Sequence, residues 1–557
     1  MQYDCRRQLF STLMAVLLLL PALGVQAQDT APSDRGNYAL KPVTPARLLN
    51  GTTDPSAWLM YGGNYQSWRF SPLTDINRQN VQHLRAAWLF QTGIPNQLQA
   101  SPIIAGGILY LTTAYDHPLP DDIRVCCGPG NRGVAIASDK VFMGTLDARL
   151  MAFDRLTGAV VWNVKVDEYQ HGYSVTAAPL VVGDKVIVGI AGGEYGIRGY
   201  IDAYAVQTGK RLWRRHTTPS AGEPGVDTWA GDSWKNGGGP TWVTGSYDPE
   251  QNVLFWATGN PAPDWNGDVR AGDNLYTDSV LALNPDTGAI KWHFQFTPHD
   301  IWDFDGNTDL FLIDVERSGK TVKAVAQPNR NGYMYVVDRT TGVYLHGAQY
   351  VESLNWAKGL DEAGRPIVDP QFVPTPDGKE FICPGAAGGK NGSYTAAYSP
   401  LSRLMYVPVI ESCNQLQKSK PLFIRGIPYW GGGPAETQAG DQSSYGHLSA
   451  IDPSTGAIKW RYKDEYPLVG GTLATGGGLV FTGNQTGQAL ALDATTGAVL
   501  WQFQTGSSIR GQPVTYKVGG RQYVAVPSGG GGLVVTMVGA PPLTSKGSAL
   551  VVFALPE

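Results

Sequence analysis

Three separated stretches place oxygen-bearing side chains in glycine-rich or aromatic surroundings: Glu194 in AGGEYGIRG, Asn260 in ATGNPAPDWN, and Asp303 with Asp305 in PHDIWDFDGN. Carboxylates and side-chain amides are the usual ligands of hard cations, so these four residues are the candidate metal ligands. Asp305 stands two residues after Asp303, and in an extended segment two such side chains point to the same side. Three carboxylates and an amide suit a trivalent ion better than Ca²⁺, because more negative charge is needed to balance it. With Ca²⁺, the alternative ion, Asp305 would be a solvated loop charge. The acidic stretch from Asp116 to Asp122 reads as a surface turn.

Cysteines offer a second chemistry. Beyond residue 27 there are four: the adjacent Cys126 and Cys127, then Cys383 and Cys413. The last two flank a hairpin, and an oxidising compartment favours a staple between them. The adjacent pair can be two thiols or a strained ring. Neighbouring Cα atoms lie about 3.8 Å apart, short of the ~4.4–6.8 Å usual across a disulfide. Strain of that kind collects at functional sites. No Cys-x-x-Cys-His occurs, so no covalent haem is expected.

These residues need a frame, and a repeat supplies it. Six 13-residue segments align without gaps: LMAFDRLTGAVVW from Leu150, IDAYAVQTGKRLW from Ile201, VLALNPDTGAIKW from Val280, MYVVDRTTGVYLH from Met334, LSAIDPSTGAIKW from Leu448 and ALALDATTGAVLW from Ala489. Each reads as strand, turn, strand, with a glycine able to take positive φ at the turn. Five end in Trp (162, 213, 292, 460 and 501), and His346 ends the fourth. The tryptophans are expected to pack between blades rather than to catalyse. The turn glycines lie 41 to 114 residues apart, the shortest interval being about one four-stranded propeller blade. The longest leaves room for a degenerate copy, read here in Ala396 to Val409.

The turn Ala-x-Asp-x-x-Thr-Gly-x-x-x-Trp resembles the docking motif of the dehydrogenases that depend on pyrroloquinoline quinone (PQQ). That family includes methanol and ethanol dehydrogenases, and its all-β fold is an eight-bladed β-propeller. A weaker form of the motif occurs in non-catalytic relatives such as the propeller lipoprotein of the outer-membrane barrel-assembly machinery. LPDDIRVCCGPGNRG, from Leu119 to Gly133, is similar over its whole length to the segment that in this family forms a vicinal disulfide flat against one face of PQQ. The resemblance implies that Cys126 and Cys127 lie on the cofactor and that Arg132 contacts its carboxylates. GGGPTW nominates Trp242 to stack on the opposite face. Arg330 in PNRNG matches an Arg near the quinone oxygens. Thr176, Gly192, Gly193 and Asn391 align with further cofactor contacts. Gln99 stands where the family commonly has a Glu that touches PQQ.

In the calcium members, Glu and Asn bind the ion beside one catalytic Asp, here Asp303, which takes the alcohol's proton as hydride passes to the quinone. Asp-aromatic-Asp marks the lanthanide-dependent branch, so a lanthanide is the expected ion. The implied reaction is oxidation of a small primary alcohol to an aldehyde. With no haem of its own, the chain would pass electrons to a separate soluble c-type cytochrome. Homodimers are frequent in the family, and a homodimer is an open expectation.

The likeness runs from about Trp58 onward, with departures. Gly392 follows Asn391 where Trp is frequent, and Val469 replaces another usual Trp. The chain passes straight from ILYLTTAY to DHPLPDDIR, so one docking turn and its two strands are missing after Tyr115, and the first blade reads as truncated. Such a blade exposes a strand edge unless another segment pairs with it.

Composition agrees with a repeat fold. There are 69 Gly, 38 Pro and 16 Trp, with 16% charged residues, as many turns and packed aromatics require. Residues 1–27 read as an export signal, with Arg6 and Arg7 before the apolar run Leu9 to Leu23 and a small-residue exit at Ala27. Residues 28–557 are expected to form a single PQQ-binding propeller domain in the periplasm, without a membrane span. Removing Asp4, Arg6 and Arg7 takes the formal charge from −4 to about −5, which excludes a nucleic-acid footprint. Two alternatives are weighed. One is a propeller whose catalysis is impaired by the lost strands. The other is a non-catalytic scaffold, which has no reason to carry the Cys pair with Glu194, Asn260, Asp303 and Asp305.

Overall fold

The computed structural model describes residues 41–557, apart from 95–96, 114–118, 439–443, 531–536 and 539–546. The expected export signal and Tyr115 lie outside the described residues. Each Thr-Gly segment supplies the outer two strands of an antiparallel sheet, four-stranded in five cases and extended by a fifth, parallel strand in the sheet bearing Trp501. In the sheet bearing Trp162 the strands are Ala135–Ala137, Lys140–Gly144, Arg149–Asp154 and Val160–Lys165, in chain order. The first two are buried throughout and the last is largely exposed, so burial decreases from hub to rim. The sheets bearing Trp213, Trp292 and His346 repeat this order. These sheets are the blades of an all-β propeller.

The docking motif works as two matched halves. Trp162 Nε1 donates to the Val206 carbonyl at 3.1 Å, Trp213 to Pro285 at 3.0 Å, Trp460 to Ala494 at 3.1 Å and Trp501 to Leu84 at 3.2 Å. His346 keeps the contact, its Nε2 lying 2.8 Å from the Pro453 carbonyl. Apart from Leu84, these acceptors lie in the turn of the next segment. The glycine of that turn takes φ near +70° and lies flat on the ring. A Cβ at Gly209, Gly288, Gly342 or Gly497 would come within 2.4–2.8 Å of Trp162, Trp213, Trp292 or Trp460. The inter-blade packing expected of the tryptophans is what the structure contains.

The ring closes through its N-terminal part. Arg85–Gln91, which carries Trp88, pairs antiparallel with Ser548–Ala554 and completes a sheet with Val514–Val518 and Arg521–Gly529. Phe70–Ser71 pairs in parallel with Leu473–Thr475 of the Trp501 sheet. Arg69, buried between them, donates to the carbonyls of Thr472 and Pro513 at 3.2 and 2.7 Å.

Two expectations need correcting. Ala396 to Val409 is not a separate degenerate blade. Ala397–Ser399 and Leu404–Glu411 are the first two strands of the Trp460 sheet, joined there by Tyr445–Ile451 and Ile458–Asp464. The long interval arises because chain is inserted before and within this sheet, as a hairpin (Ala357–Leu360, Pro366–Val368) and a three-stranded sheet (Phe381–Ile382, Cys413–Lys418, Gly432–Gln438). Cys383 and Cys413 are disulfide-bonded as expected, but the bond ties the inserted sheet rather than a blade.

The shortened blade is present. Ile103–Ala105 and Ile108–Tyr110 form a two-stranded sheet, extended by the bridge of Trp58 to Ile104. Both docking interfaces flanking it differ from the others. Trp88 is 42% exposed, and the Gly158 turn has no atom within 4 Å of where a Cβ would stand. A groove of about 440 Å³ lined by Leu109, Leu111, Val141, Met143 and Phe153 remains at that rim.

This contrast yields a stability prediction. Gly497 and Gly158 both have φ near +75°, so Ala at either position carries the left-handed cost of about 1–2 kcal/mol. Gly497→Ala must also displace Trp460, adding about 1–3 kcal/mol of overpacking. Urea unfolding is expected to show the larger loss for Gly497→Ala. Equal losses would contradict the docking account.

Candidate active site

Loops at the hub converge on a cavity of about 360 Å³. Of the expected site residues, Gln99, Cys126, Cys127, Arg132, Thr176, Gly192, Glu194, Trp242, Asp303, Asp305, Arg330 and Asn391 line it. Gly193 and Asn260 lie just behind the wall: Asn260 is fully buried, and a Cβ at Gly193 would come 2.9 Å from its Oδ1.

The Asp303–Asp305 segment is not extended as the alternation argument assumes. Both residues have left-handed backbone, φ +61° and +56°, a conformation Asp tolerates better than most residues. Two buried carboxylates hold the turn: Asp300 accepts from Trp302 N at 2.9 Å and Phe304 N at 2.8 Å, and Asp278 from Gly306 N at 2.9 Å. Trp302 and Phe304 pack below, both against Trp356 with ring centroids 4.9 and 4.8 Å away, so the intervening aspartates face the cavity. Gly259 permits the approach of Asp305, whose Oδ1 accepts from Asn260 N at 3.1 Å; a Cβ at Gly259 would collide with that oxygen.

Arg330 lies between the two aspartates, Nη1 3.1 Å from Asp305 Oδ2 and Nη2 3.3 Å from Asp303 Oδ2. Burial pushes the carboxyls of Asp303 and Asp305 above the ordinary range, against the pull of the Arg330 charge. Burial likewise raises Glu194, and the neighbouring Asp305 charge adds to it. Glu194 sits on a short 3₁₀ turn, Gly193–Tyr195, and its nearest ligand-type neighbours are Cys126 and Cys127, all within 4.8 Å of one another. Cys126 and Cys127 are two thiols here, not the ring that the resemblance implies.

The Arg132 guanidinium lies over the Trp242 ring, 4.5 Å from its centroid, and Nη1 is 3.4 Å from the Thr176 carbonyl. Gly392, a departure from the family pattern, lets Trp242 sit where it does; a Cβ there would be 2.6 Å from the indole. Val469 is buried against Tyr394 and Val538, away from the cavity. Gln99 donates to Gln97 at 3.0 Å, and Arg510 donates to the same Gln97 oxygen at 3.2 Å.

Sequence reasoning missed several residues of the wall: Asp264, Trp265, Trp430, Arg510 and Met537. Asp264 stood inside the quoted motif ATGNPAPDWN and was passed over for Asn260. Trp430 and Met537 come from inserted or terminal chain that carries no repeat to place it.

Residues 58–121, 130–353 and 441–524, more than half of the chain, match the family described as the PQQ-dependent "Glucose/ethanol/alcohol dehydrogenase, beta-propeller domain". The chain belongs to the PQQ-dependent alcohol dehydrogenases. It is 42% identical to the quinoprotein alcohol dehydrogenase PedH of Pseudomonas putida, over 88% of this chain and 89% of that protein. It is 36% identical to a lanthanide-dependent methanol dehydrogenase of Methylorubrum extorquens, over 87% of this chain and 89% of the other. The solved structure of a europium-containing methanol dehydrogenase superimposes with a TM-score of 0.87 at 34% identity, covering 92% of this chain and all of that one. Alcohol oxidation with PQQ and a metal ion is therefore the chemistry of this PQQ-dependent dehydrogenase. Among the described residues, no helix is long and apolar enough to cross a membrane.

The residues suit such an ion. Asn260 Oδ1 is buried without a hydrogen-bond partner, and Glu194, Asp303 and Asp305 line the same cavity, the two aspartates paired with Arg330. Cation binding must displace protons that these raised carboxyls retain, so apparent affinity rises with pH. Titrating La³⁺ into the chain at pH 5, 6 and 7 should show affinity increasing by up to about tenfold per pH unit for each proton displaced, with acid released into weakly buffered solution. A pH-independent affinity would mean that the ion binds elsewhere.

Proposed function

We propose that this chain is exported to the periplasm, where residues 28–557 act as one propeller domain that oxidises a primary alcohol to the aldehyde with PQQ and a lanthanide ion. The observation that carries the reading is that Asp303, Asp305 and Glu194 line the same cavity as Trp242, Arg132 and the Cys126–Cys127 pair. When bound, PQQ supplies the hydride acceptor and the ion a Lewis acid that polarises it.

Glu194, Asn260, Asp303 and Asp305 would hold the ion through oxygen. Asp305 is the residue that favours a trivalent ion, since it brings a third carboxylate to the set. Trp242 offers a flat face to a conjugated ring, and the Cys pair, which lines the same cavity, would cover the other face. The Arg132 guanidinium, 4.5 Å from that indole's centroid, would meet the cofactor's carboxylates. Thr176, Gly192, Gly193, Asn391 and Gln99 would complete the cofactor's surroundings. Asp303 accepts the alcohol's hydroxyl proton, and Arg330, already on its Oδ2, holds the carboxylate in place and offsets its charge. With no Cys-x-x-Cys-His in the chain, electrons leave to a separate soluble c-type cytochrome. A homodimer is the proposed assembly.

The test is reconstitution of purified protein with PQQ and either La³⁺ or Ca²⁺, following dye reduction by methanol or ethanol. The expected result is turnover with La³⁺ well above that with Ca²⁺; activity with Ca²⁺ alone would refute the lanthanide assignment. Asp303→Asn should lower kcat by about 10²- to 10⁴-fold, the usual contribution of a positioned general base. Asp305→Ser should lose the La³⁺ preference while keeping Trp242-dependent PQQ binding. Protein recovered from the periplasmic fraction should begin at Gln28.

A further inference from the structure

Asp264 lies four residues after Asn260 on the same loop and is 1% exposed. Its Oδ1 accepts a hydrogen bond from Asn260 Nδ2 at 2.9 Å, and its Oδ2 has no hydrogen-bond partner. It lines the cavity with Asp303, Asp305 and Glu194. The loop backbone that carries it is pinned by Arg270, which donates through Nε and Nη2 to the Pro263 carbonyl at 3.1 and 2.9 Å and through Nη1 to Asn274 at 2.8 Å.

An amide side chain has an oxygen end and a nitrogen end of nearly the same shape, and only the oxygen can ligate a cation. Something must decide which end points where. An acceptor oxygen set against one end of the amide pairs with the nitrogen end and leaves the oxygen end free. The Asn260 backbone N–H donates to Asp305 Oδ1 at 3.1 Å, and its Nδ2 donates to Asp264 Oδ1 at 2.9 Å and more weakly to the Pro261 carbonyl at 3.4 Å, which leaves Oδ1 as the buried atom without a partner. We infer that Asp264 is a positioning residue of the metal site: it locks the Asn260 amide with its oxygen turned to the ion. This rests on the proposed reading that the ion sits among Glu194, Asn260, Asp303 and Asp305.

The lock has a signature that bulk charge does not. Asp264→Asn removes the charge but keeps an oxygen able to accept from Asn260 Nδ2, whereas Asp264→Ala and Asp264→Leu remove the acceptor. Outer partners that orient a ligand typically account for about 10- to 100-fold in metal affinity. The experiment is a Tb³⁺ titration of the PQQ-loaded full-length secreted protein and its variants. Binding is followed by luminescence sensitised through the site tryptophans, with KM for the alcohol and kcat measured in parallel at saturating La³⁺. Ala and Leu variants are expected to bind Tb³⁺ about 10- to 100-fold more weakly, and the Asn variant within about threefold of the parent. The loss should be recovered largely by raising the ion concentration, which a generally damaged fold would not show. If Leu is used where Ala fails to fold, the comparison with Asn is unchanged. Equal affinity in all variants, or an Asn variant as weak as Leu, overturns the lock. A parent protein that binds no Tb³⁺ at all overturns instead the reading of the ion site on which the lock rests.

Discussion

The burial of like charges at the hub is the constraint that the rest of the molecule must satisfy. Glu194, Asp264, Asp303 and Asp305 face one cavity, with Asp278 and Asp300 directly beneath, and the cationic groups in contact with them are Arg330 on the cavity side and Arg270 below. Moving a carboxylate out of water costs several kcal/mol even after relaxation, and neighbouring carboxylates add to that cost. Burial and its neighbour Asp305 raise Asp300 to about 6, though two backbone N–H groups and Arg270 pull the other way. A protein has no reason to assemble such a set for stability alone. It is intelligible as the proposed cage for a metal ion, whose charge would offset the set.

Holding that cage open is the work of the propeller. Each blade delivers a loop from its buried inner strands to the hub. The outer strands do no chemistry, but they fix the angle between blades through the indole-on-glycine contact. Where His346 replaces the indole, the bond to the next turn's carbonyl is kept, so hydrogen-bond direction is retained even when ring area is reduced. The shortened blade sacrifices this contact on both its sides, yet the segment that follows it still brings Cys126, Cys127 and Arg132 to the cavity. Truncation at the rim and integrity at the hub coexist because blade contacts are made strand by strand, and the inner strands Ile103–Ala105 and Ala135–Ala137 remain fully buried.

How much of this could be read from residues alone follows from how local each feature is. The docking turns are written within 13 contiguous residues, so their number, their glycines and even the His346 exception were visible. The candidate ligands were visible for the same reason, each being carried by a short motif. The misreadings share a cause, which is reliance on a pattern where tertiary context decides. Ala396 to Val409 has strand character but no docking turn, and only pairing with Tyr445–Ile451 assigns it to the Trp460 sheet. Asp303 and Asp305 face the same way, as alternation suggests, but through two left-handed residues clamped by Asp300 and Asp278, neither of which any period could single out.

The same distinction separates what binds from what orients. A ligand advertises itself by residue type within a recognisable segment. An orienting partner needs only to be an acceptor in the right place, and many residue types could serve there. Asp264 belongs to the second kind: it lies inside a motif chosen for Asn260, yet its relevance emerges only from the 2.9 Å bond that leaves one amide oxygen without a partner. Arg330 shows the complementary case. Its motif marks it as a cofactor neighbour, but its bridging of both aspartates means that it also sets how much negative charge the ion meets. In the proposed site, selectivity between a divalent and a trivalent ion would thus be a property of the whole charge set, with Asp305 its most visible member and Arg330 the group that adjusts it.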